Sequence, residues 1–480
     1  MRFIMSDFTT AIVSQTSRTE NGMLALRSSS SAVVDFFYSS AASRGKDIIP
    51  EFVASYTEDS ELTLRIVQWL RDIRGGAGER LLFRQILKYM EYHYPEDAKR
   101  LVAKIPEIGR FDDALIFDRP ELRKVGFELV ADALRSGNEL AGKWAPRQNL
   151  TAVALRNHMG LTPKQYRKLI VGLSNTVEQK MCSQKWDEII YSHVPSLASA
   201  RYKKAFSRHS PEKYAEYVNA LIQKSPDVSV NVSAVFPYDV LKGIINPYGL
   251  HRQFSEVELN HIIAQWNALE NFIGDANILP LVDVSGSMMC SVGGRKGSDS
   301  LTCLDVAVSL GLYCADKNQG KFNGTFLTFS GKPELVHLKG NIVEKVSQMV
   351  KSHWEMNTNL HAALDKILQV AKEGNVPAEE MPKMLLIFSD QQYDVCTKFD
   401  DSAMEMIRRK FAEAEREVPQ IVFWNLNSYS NVPVTAHESG TALVSGFSPA
   451  ILKAILSTDL SDFSAYNVMI KTVMIPRYDC

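Results

Sequence analysis

The stretch Ile278-Leu-Pro-Leu-Val-Asp-Val-Ser-Gly-Ser287 joins a short apolar run to a turn of carboxyl and hydroxyl side chains. The apolar run has the length of one β-strand, and similar runs follow at residues 326–329, 384–388 and 421–424. Helix-like stretches separate them at residues 301–317, 341–351, 360–372 and 402–415. Strands that alternate with helices indicate a parallel sheet with helices on both faces. The sequence therefore predicts a doubly wound α/β domain in its C-terminal half.

The turn after the first predicted strand supplies candidate metal ligands. Asp283, Ser285 and Ser287 place one carboxylate and two hydroxyls at alternate positions, and such hard oxygen ligands favour Mg²⁺ or Mn²⁺ over zinc. Thr358, at the start of a predicted helix, and Asp390, at the end of a predicted strand, come from loops at the same sheet edge. Five protein oxygens, some acting through water, would leave one octahedral position for an anionic oxygen of a partner.

This arrangement resembles the von Willebrand factor A domain and its metal-ion-dependent adhesion site, whose pattern is DxSxS, then a threonine, then an aspartate. The resemblance implies that Asp283, Ser285, Ser287, Thr358 and Asp390 contact Mg²⁺ or Mn²⁺, directly or through water. It also implies a site that binds partners rather than one that turns over a substrate. The alternative is a turn without metal in which Thr358 only caps a helix.

The N-terminal half has a different pattern. From residue 60 to about residue 270, apolar residues recur at helical spacing, as in Leu62, Ile66 and Leu70. Glycine and proline interrupt this pattern repeatedly, for example at Tyr94-Pro95 and between Pro106 and Gly109. Antiparallel helix pairs, stacked into a HEAT-like solenoid or an irregular bundle, are the architecture that this pattern favours.

Several segments of this half resemble the TROVE module of Ro-type ribonucleoproteins. They are Gln68-Trp-Leu-Arg-Asp-Ile-Arg-Gly-Gly-Ala-Gly-Glu-Arg80, Pro106-Glu-Ile-Gly-Arg-Phe-Asp-Asp113, Lys143-Trp144, Tyr166-Arg-Lys168, Asn175-Thr-Val-Glu178, Trp186 and Val194-Pro-Ser196. The order of modules, helical repeat first and A domain last, is similar too, as it is in an uncharacterised domain-of-unknown-function family of the same architecture. The resemblance implies a ring of helical repeats that binds single-stranded RNA ends in its hole and structured RNA on its basic outer face.

Charge counting points to the same half. Residues 141–211 contain twelve basic residues against three acidic ones, in a chain whose net charge is −1. The candidate RNA-binding residues are Lys143, Arg147, Arg167, Lys168, Lys180, Lys185, Arg201, Lys203, Lys204 and Arg208, interleaved with the aromatic residues Trp144, Tyr166, Trp186, Tyr191 and Tyr202. Basic grooves with aromatic faces suit single-stranded nucleic acid. The alternative is a solvated helical surface whose aromatic residues belong to the core.

The remaining features exclude several classes of protein. The opening residues 1–10 are too short in apolar sequence for a signal-peptide core, and no apolar segment has the length of a membrane span, so we expect a cytoplasmic protein without a membrane partner. Six dispersed cysteines without a CxxC motif favour reduced thiols over disulfides. The sequence contains no HExxH, and its serines lack a GxSxG frame, so we expect no enzyme activity.

Together these observations predict a non-catalytic RNA-binding or ribonucleoprotein scaffold. Its predicted parts are an N-terminal tail (1–20), a TROVE-like helical repeat domain (21–270), a von Willebrand A-like, Rossmann-like domain with a divalent-metal site (271–470) and a C-terminal tail (471–480). The alternative function is a metal-dependent protein-interaction module, for an AAA-ATPase chaperone system or viral assembly, in which a partner protein supplies a carboxylate to the metal and no RNA binds.

Overall fold

The computed structural model of the protein describes residues 15–242, 244–245, 254–292, 301–329, 332–350, 359–395, 401–429 and 431–480. The chain folds into two compact units, called here the sheet unit and the helical unit. The sheet unit takes its described residues from 1–63, 236–253 and 270–475, and the helical unit takes them from 64–235, 254–269 and 476–480. The chain therefore passes between the units five times, at residues 63, 235, 253, 269 and 475.

The described secondary structure is mainly helical before residue 270 and mixed after it. The α-helices are α1 (Ala32–Ser40), α2 (Ile49–Glu58), α3 (Ser60–Arg71), α4 (Arg80–His93), α5 (Pro95–Ile108), α6 (Pro120–Arg135), α7 (Glu139–Trp144), α8 (Leu150–His158), α9 (Pro163–Leu173), α10 (Val177–Cys182), α11 (Ser196–His209), α12 (Pro211–Ile222), α13 (Pro237–Leu241), α14 (Glu256–Ala268), α15 (Cys303–Lys317), α16 (Ile342–Val350), α17 (Leu360–Glu373), α18 (Ala403–Glu413), α19 (Leu452–Ser457) and α20 (Ala465–Val473). The strands are β1 (Thr16–Arg18), β2 (Leu24–Leu26), β3 (Ile278–Asp283), β4 (Thr325–Phe329), β5 (Leu335–His337), β6 (Met384–Ser389), β7 (Gln420–Asn425) and β8 (Thr441–Ser445).

The sheet unit contains a six-stranded sheet in the order β5-β4-β3-β6-β7-β8. β5 runs antiparallel to β4, and the other neighbours are parallel. Every residue of β3, β6 and β8 is buried, as expected for strands covered on both faces. Pro280 precedes the β3 residues that pair with β4, so the strand has an open side there and tolerates a residue without an amide hydrogen. The predicted strands and the helices between them are therefore confirmed.

The chain passes between the units at residue 269, near the predicted boundary, but the units also exchange segments that the prediction kept in one domain. Residues up to 63 belong to the sheet unit because α1 buries Phe36 and Phe37 and packs against β8. The hydroxyl of Ser445 in β8 donates to the carbonyl of Phe37 over 2.9 Å. At the other end, residues 476–480, predicted as part of a tail, belong to the helical unit. Apolar burial, which the linear pattern does not locate, decides both assignments.

Proline marks helix starts throughout the helical unit. Pro95, Pro120, Pro163 and Pro211 each occupy the first turn of a helix, where no amide hydrogen is needed. The expected interruption between Pro106 and Gly109 falls at the end of α5, which continues through Pro106 and ends before Gly109. A proline in the last turn removes one helical hydrogen bond but does not prevent the helix from finishing.

Candidate metal centre and basic helical surface

The candidate metal site lies where the order of strands reverses. After β3, the chain adds β4 and β5 on one side of β3. It then returns to the other side of β3 with β6 and continues outward to β7 and β8. Open α/β sheets bind ligands at such a switch point, beyond the carboxyl ends of the strands. Asp283 is the last residue of β3 and Asp390 follows the last residue of β6. The fold thus brings two predicted ligands to one sheet edge.

Asp283 is completely buried and is oriented by two hydrogen bonds. Its Oδ1 accepts from the amide of Ser285 over 2.9 Å, and its Oδ2 accepts from the hydroxyl of Ser389 over 2.6 Å. Burial, with the charge of Asp390 as a second cause, raises the pKa of Asp283 to about 7. A buried carboxylate of this kind needs either a proton or a cation.

Asp390 is the less satisfied of the two carboxylates. It is 1% exposed, its Oδ1 accepts from the amide of Gln392 over 3.3 Å, and within the described residues its Oδ2 has no hydrogen-bond partner. Burial raises the pKa of Asp390, against a hydrogen bond from Ser287 that lowers it. An orphaned carboxylate oxygen beside a second buried carboxylate fits a site for a divalent cation.

The two serines complete the oxygen set. The hydroxyls of Ser285 and Ser287 lie 3.1 Å apart, in the turn that links β3 to the segment before α15. Four of the five predicted metal-contacting residues therefore belong to one cluster, and the fifth, Thr358, lies outside the described residues. In the part of the chain that is described, no group of three or more His, Cys, Asp or Glu side chains could hold a metal. Any cation here would depend on two carboxylates and on hydroxyl or water oxygens.

Sequence reasoning missed the residues that support this cluster. Ser389, which fixes Asp283, stands directly before Asp390, so its place at the end of β6 was a usable signal. Gln391 has a φ of 64°, and its side chain donates to the carbonyl of Trp424 over 3.2 Å. The hydroxyl of Tyr393 donates to Gln391 over 2.6 Å. The contact between Gln391 and Trp424 joins the end of β6 to β7 and has no signature in the linear sequence.

The basic block of the helical unit lies largely on two helices. In α9, Arg167 and Lys168 are exposed on the same face as Lys164. In α11, the exposed cations Arg201, Lys204 and Arg208 recur at spacings of three and four residues. Among the described residues, none of these cations forms an ion pair, although Lys204 lies 4.6 Å from the ring centre of Phe254. Each helix therefore presents a cationic stripe, defined by residues 164, 167 and 168 in α9 and by residues 201, 204 and 208 in α11.

Other predicted RNA-binding residues already have partners. Arg147 donates to the hydroxyl of Ser174, Lys180 donates to the carbonyl of Glu188, and Lys185 pairs with the carboxylate of Glu188 at 2.8 Å. Lys143 and Lys180 line a cleft of about 340 Å³, together with Asn175 and His193. The charges of Arg147, Lys180 and Lys185 are thus already paired in part with groups of the helical unit.

Lys203 corrects the sequence interpretation. It is 6% exposed, its ammonium donates to the carbonyl of Ala200 over 2.9 Å, and it lies 5.7 Å from the ring centre of Phe254. Burial lowers the pKa of Lys203 to about 8. Lys203 therefore faces the interior of the unit and presents no charge for a phosphate.

Two of the interleaved aromatic residues are core residues as well. Tyr166 and Tyr191 are each 5% exposed, and Tyr191 packs edge-on against Phe206 and Tyr214 in an apolar cluster. Trp144 is covered by the guanidinium of Arg110, 3.3 Å from the ring centre. Trp186 and Tyr202 remain partly exposed. The alternative of core aromatics is therefore right for part of the set.

Comparisons with known proteins match most of the chain. Residues 277–473 match the family described as Domain of unknown function DUF7788, and residues 19–107 and 162–277 match Domain of unknown function DUF2828. The uncharacterised protein L728 of Acanthamoeba polyphaga mimivirus is 29% identical over 504 residues, which cover 92% of this chain and 84% of L728. A crystal structure of the Ro (RSR) protein of Deinococcus radiodurans is 13% identical, with a TM-score of 0.47 over 93% of this chain and 100% of that one.

In the described parts of the chain, the helices are too short or too polar to cross a membrane.

Proposed function

We propose that this protein is a non-catalytic RNA-binding protein, a ribonucleoprotein scaffold whose helical unit binds single-stranded RNA. The observation that carries the proposal is the pair of cationic stripes on α9 and α11, whose members form no ion pair with the described residues. Exposed cations without carboxylate partners can pair with RNA phosphates, and this pairing releases the counterions that the phosphates held. The TROVE-like segments of the same unit agree with this function.

The α11 stripe allows a direct test. We expect the triple variant Arg201→Glu, Lys204→Glu, Arg208→Glu to bind a labelled 12-nucleotide poly(U) more weakly than the unaltered protein. Each lost phosphate contact flattens the slope of log affinity against log salt by about 0.7, so three contacts change it by about 2. Fluorescence anisotropy between 50 and 200 mM KCl measures both quantities.

A matched control comes from the same unit. Lys99, Lys124 and Arg135 are surface cations that each pair with a carboxylate three or four residues away. Replacing these three with Glu changes the net charge by the same amount and should leave a larger part of the RNA affinity intact. Equal losses in both triple variants, or no binding by the unaltered protein at 50 mM KCl, would refute a specific phosphate surface on α11.

A second function rests on the sheet unit. We propose that Asp283, Ser285, Ser287 and Asp390 hold Mg²⁺ or Mn²⁺, with Thr358 as the expected fifth contact, and that a partner supplies an anionic oxygen to the open position. The supporting observation is Asp390 Oδ2, which is buried without a partner in the described residues. If a protein carboxylate is that oxygen, the sheet unit acts as a metal-dependent protein-interaction module.

Mn²⁺ is the probe for this site. Electron paramagnetic resonance of free Mn²⁺ at pH 8 should show one bound ion per chain, and both Asp283→Asn and Asp390→Asn should lose it. Asp459→Asn is the control because Asp459 is a loop residue that caps a short turn of the same unit. Retention of full Mn²⁺ affinity in Asp390→Asn would remove the metal from the proposal.

A further inference from the structure

Two thiols meet beside the turn that bears the candidate metal ligands. The Sγ atoms of Cys290 and Cys303 lie 3.3 Å apart, and both cysteines are free. Cys290 follows the turn after β3, and Cys303 is the first residue of α15. Neither the cationic stripes nor the oxygen cluster uses these sulfurs, so the pair calls for a separate explanation.

The backbone around the pair has the geometry that a disulfide requires. Ser291 and Thr302 form an antiparallel bridge. On one side of it the amide of Cys303 donates to the carbonyl of Cys290 over 3.2 Å, and on the other the amide of Val292 donates to the carbonyl of Leu301 over 2.8 Å. Cys290 and Cys303 are therefore directly opposed residues beside this bridge, joined by one backbone hydrogen bond, since the amide of Cys290 donates to the carbonyl of Ser287 over 3.1 Å instead. Directly opposed residues of antiparallel strands have Cα atoms about 4.5–5.5 Å apart, and disulfides span Cα distances of about 4.4–6.8 Å.

The two sulfurs differ in access. Cys303 is 1% exposed, and its thiol faces the carbonyl of Leu426 at 3.5 Å. Cys290 is half-buried, and the side-chain amide of Asn427 donates to its sulfur over 3.5 Å. A small oxidant can reach the sulfur of Cys290. The sulfur of Cys303 lies behind it, close enough for an S–S bond to form. This is the arrangement of an attacking thiol and a resolving thiol.

We propose that Cys290 and Cys303 form a modification site at which a peroxide oxidises the thiol pair to a reversible disulfide. The thiolate of Cys290 attacks one oxygen of hydrogen peroxide, the O–O bond breaks, and hydroxide leaves and takes up a proton as water. The sulfur of Cys303 then attacks the resulting sulfenic acid, the S–S bond forms, and a second water leaves. Two thiols and one hydrogen peroxide give one disulfide and two waters, with two electrons passing from sulfur to oxygen.

The disulfide closes the segment 290–303 and ties the turn after β3 to the start of α15. A small-molecule dithiol reverses the reaction by exchange. The proposal depends on neither RNA binding nor metal binding, so it stands or falls separately from both proposed functions.

Peptide mapping of the full-length protein tests the site. After treatment with hydrogen peroxide and alkylation with iodoacetamide, we expect a cross-linked peptide that contains Cys290 and Cys303, two hydrogens lighter than the reduced pair. Dithiothreitol should abolish it. Cys303→Ser should leave Cys290 as a sulfenic acid that dimedone traps, whereas Cys314→Ser, a change in the same helix, should still form the cross-link.

The unaltered protein keeps the test valid even if a variant misfolds, and Cys182 serves as the internal reference because it is an exposed free thiol. Alkylation of both Cys290 and Cys303 under conditions that oxidise Cys182 would overturn the proposal. Recovery of the pair as a stable zinc dithiolate that resists peroxide would overturn it too.

Discussion

At the scale of single residues, Asp283 and Asp390 set the conditions under which the sheet unit is stable. Both are buried, and burial raises the pKa of each. The folded state therefore holds protons that the unfolded state releases, and without a cation its stability falls as pH rises from about 4 towards 7. A divalent cation that binds the ionised pair reverses this trend because metal and protons compete for the same oxygens.

This competition gives a pH prediction. In EDTA the free energy of unfolding should fall by roughly 2–4 kcal/mol between pH 4 and pH 7. Millimolar Mg²⁺ should raise the melting temperature more at pH 8 than at pH 5.5. In Asp390→Asn the metal-free protein should melt higher than the unaltered protein, since one buried charge is gone, and Mg²⁺ should have little effect. Urea unfolding in EDTA measures the free energies, and differential scanning fluorimetry measures the melting temperatures. A Mg²⁺ effect equal at both pH values would contradict the argument.

Lys203 gives a second prediction, with the opposite pH dependence. Its pKa of about 8 lies below that of a solvated lysine, so the folded state disfavours the charge. The charged Lys203 lowers the free energy of unfolding most below pH 8, and this penalty disappears as the pH rises towards 10. Lys203→Met should therefore stabilise the protein at pH 7 by about 1–3 kcal/mol.

Urea unfolding at pH 7 and pH 9.5 distinguishes the causes. The gain from Lys203→Met should shrink at the higher pH, and poly(U) affinity should stay unchanged because Lys203 is buried. Lys204→Met is the matched control for the stability measurement, because Lys204 is an exposed neighbour of Lys203. A loss of RNA affinity in Lys203→Met without a loss of stability would mean that the ammonium reaches the ligand.

At the scale of elements, close contacts between helices and their neighbours depend on glycine. A Cβ atom at Gly126 in α6 would lie 1.9 Å from the carbonyl oxygen of Ala114, a backbone atom that cannot rotate away. A Cβ atom at Gly172 in α9 would have no heavy atom within 4 Å. The same substitution should therefore act with opposite sign in two helices of one unit.

We expect Gly126→Ala to lower the free energy of unfolding by about 1–3 kcal/mol or more, because α6 must move away from residue 114. Gly172→Ala should raise it by about 0.5–1 kcal/mol through helix propensity. Circular dichroism during urea unfolding measures both. Stabilisation of similar size in both variants would indicate that helix propensity, rather than the close contact at Gly126, decides the outcome.

The elements also show what the sequence can predict. β3, β6 and β7 are long enough to need apolar residues on both faces, and their patterns predicted them within a residue or two. β5 has three residues with an exposed–intermediate–exposed pattern, so its sequence has no two-sided apolar pattern from which a strand could be predicted. The cluster of Asp283 and Asp390 could be predicted because strand ends meet at one sheet edge, whereas Gln391 acts through a contact that only the folded register creates.

At the scale of the whole molecule, the helical unit includes a segment distant in sequence. Tyr478 is completely buried, and its carbonyl accepts from the side chain of Gln68 over 2.8 Å. Arg477 pairs with Asp72, which is buried, through two hydrogen bonds of 2.5 and 3.0 Å. Residues 476–480 therefore close one side of α3. No periodicity in the sequence predicts this, since the contacts join residues about four hundred positions apart.

Removing residues 476–480 should lower the stability of the helical unit by about 3–5 kcal/mol, because Asp72 loses its cation and an apolar surface is exposed. Hydrogen–deuterium exchange should rise in α3 and remain unchanged in β3, β6 and β7. Asp479→Ala is the control, since its ion pair with Arg65 is partly exposed and should contribute at most about 1 kcal/mol. Faster exchange throughout both units would show that they unfold together.

The five passages of the chain between the units govern the order in which the protein can fold as it leaves the ribosome. α1 emerges early, but β8, against which it packs, is synthesised some four hundred residues later. The helical unit likewise lacks residues 476–480 until translation of this segment ends. At about 5–20 residues per second, apolar faces such as that of Phe36 and Phe37 stay uncovered for tens of seconds. During synthesis the nascent chain therefore exposes these apolar faces for longer than a chain whose units follow one another in sequence.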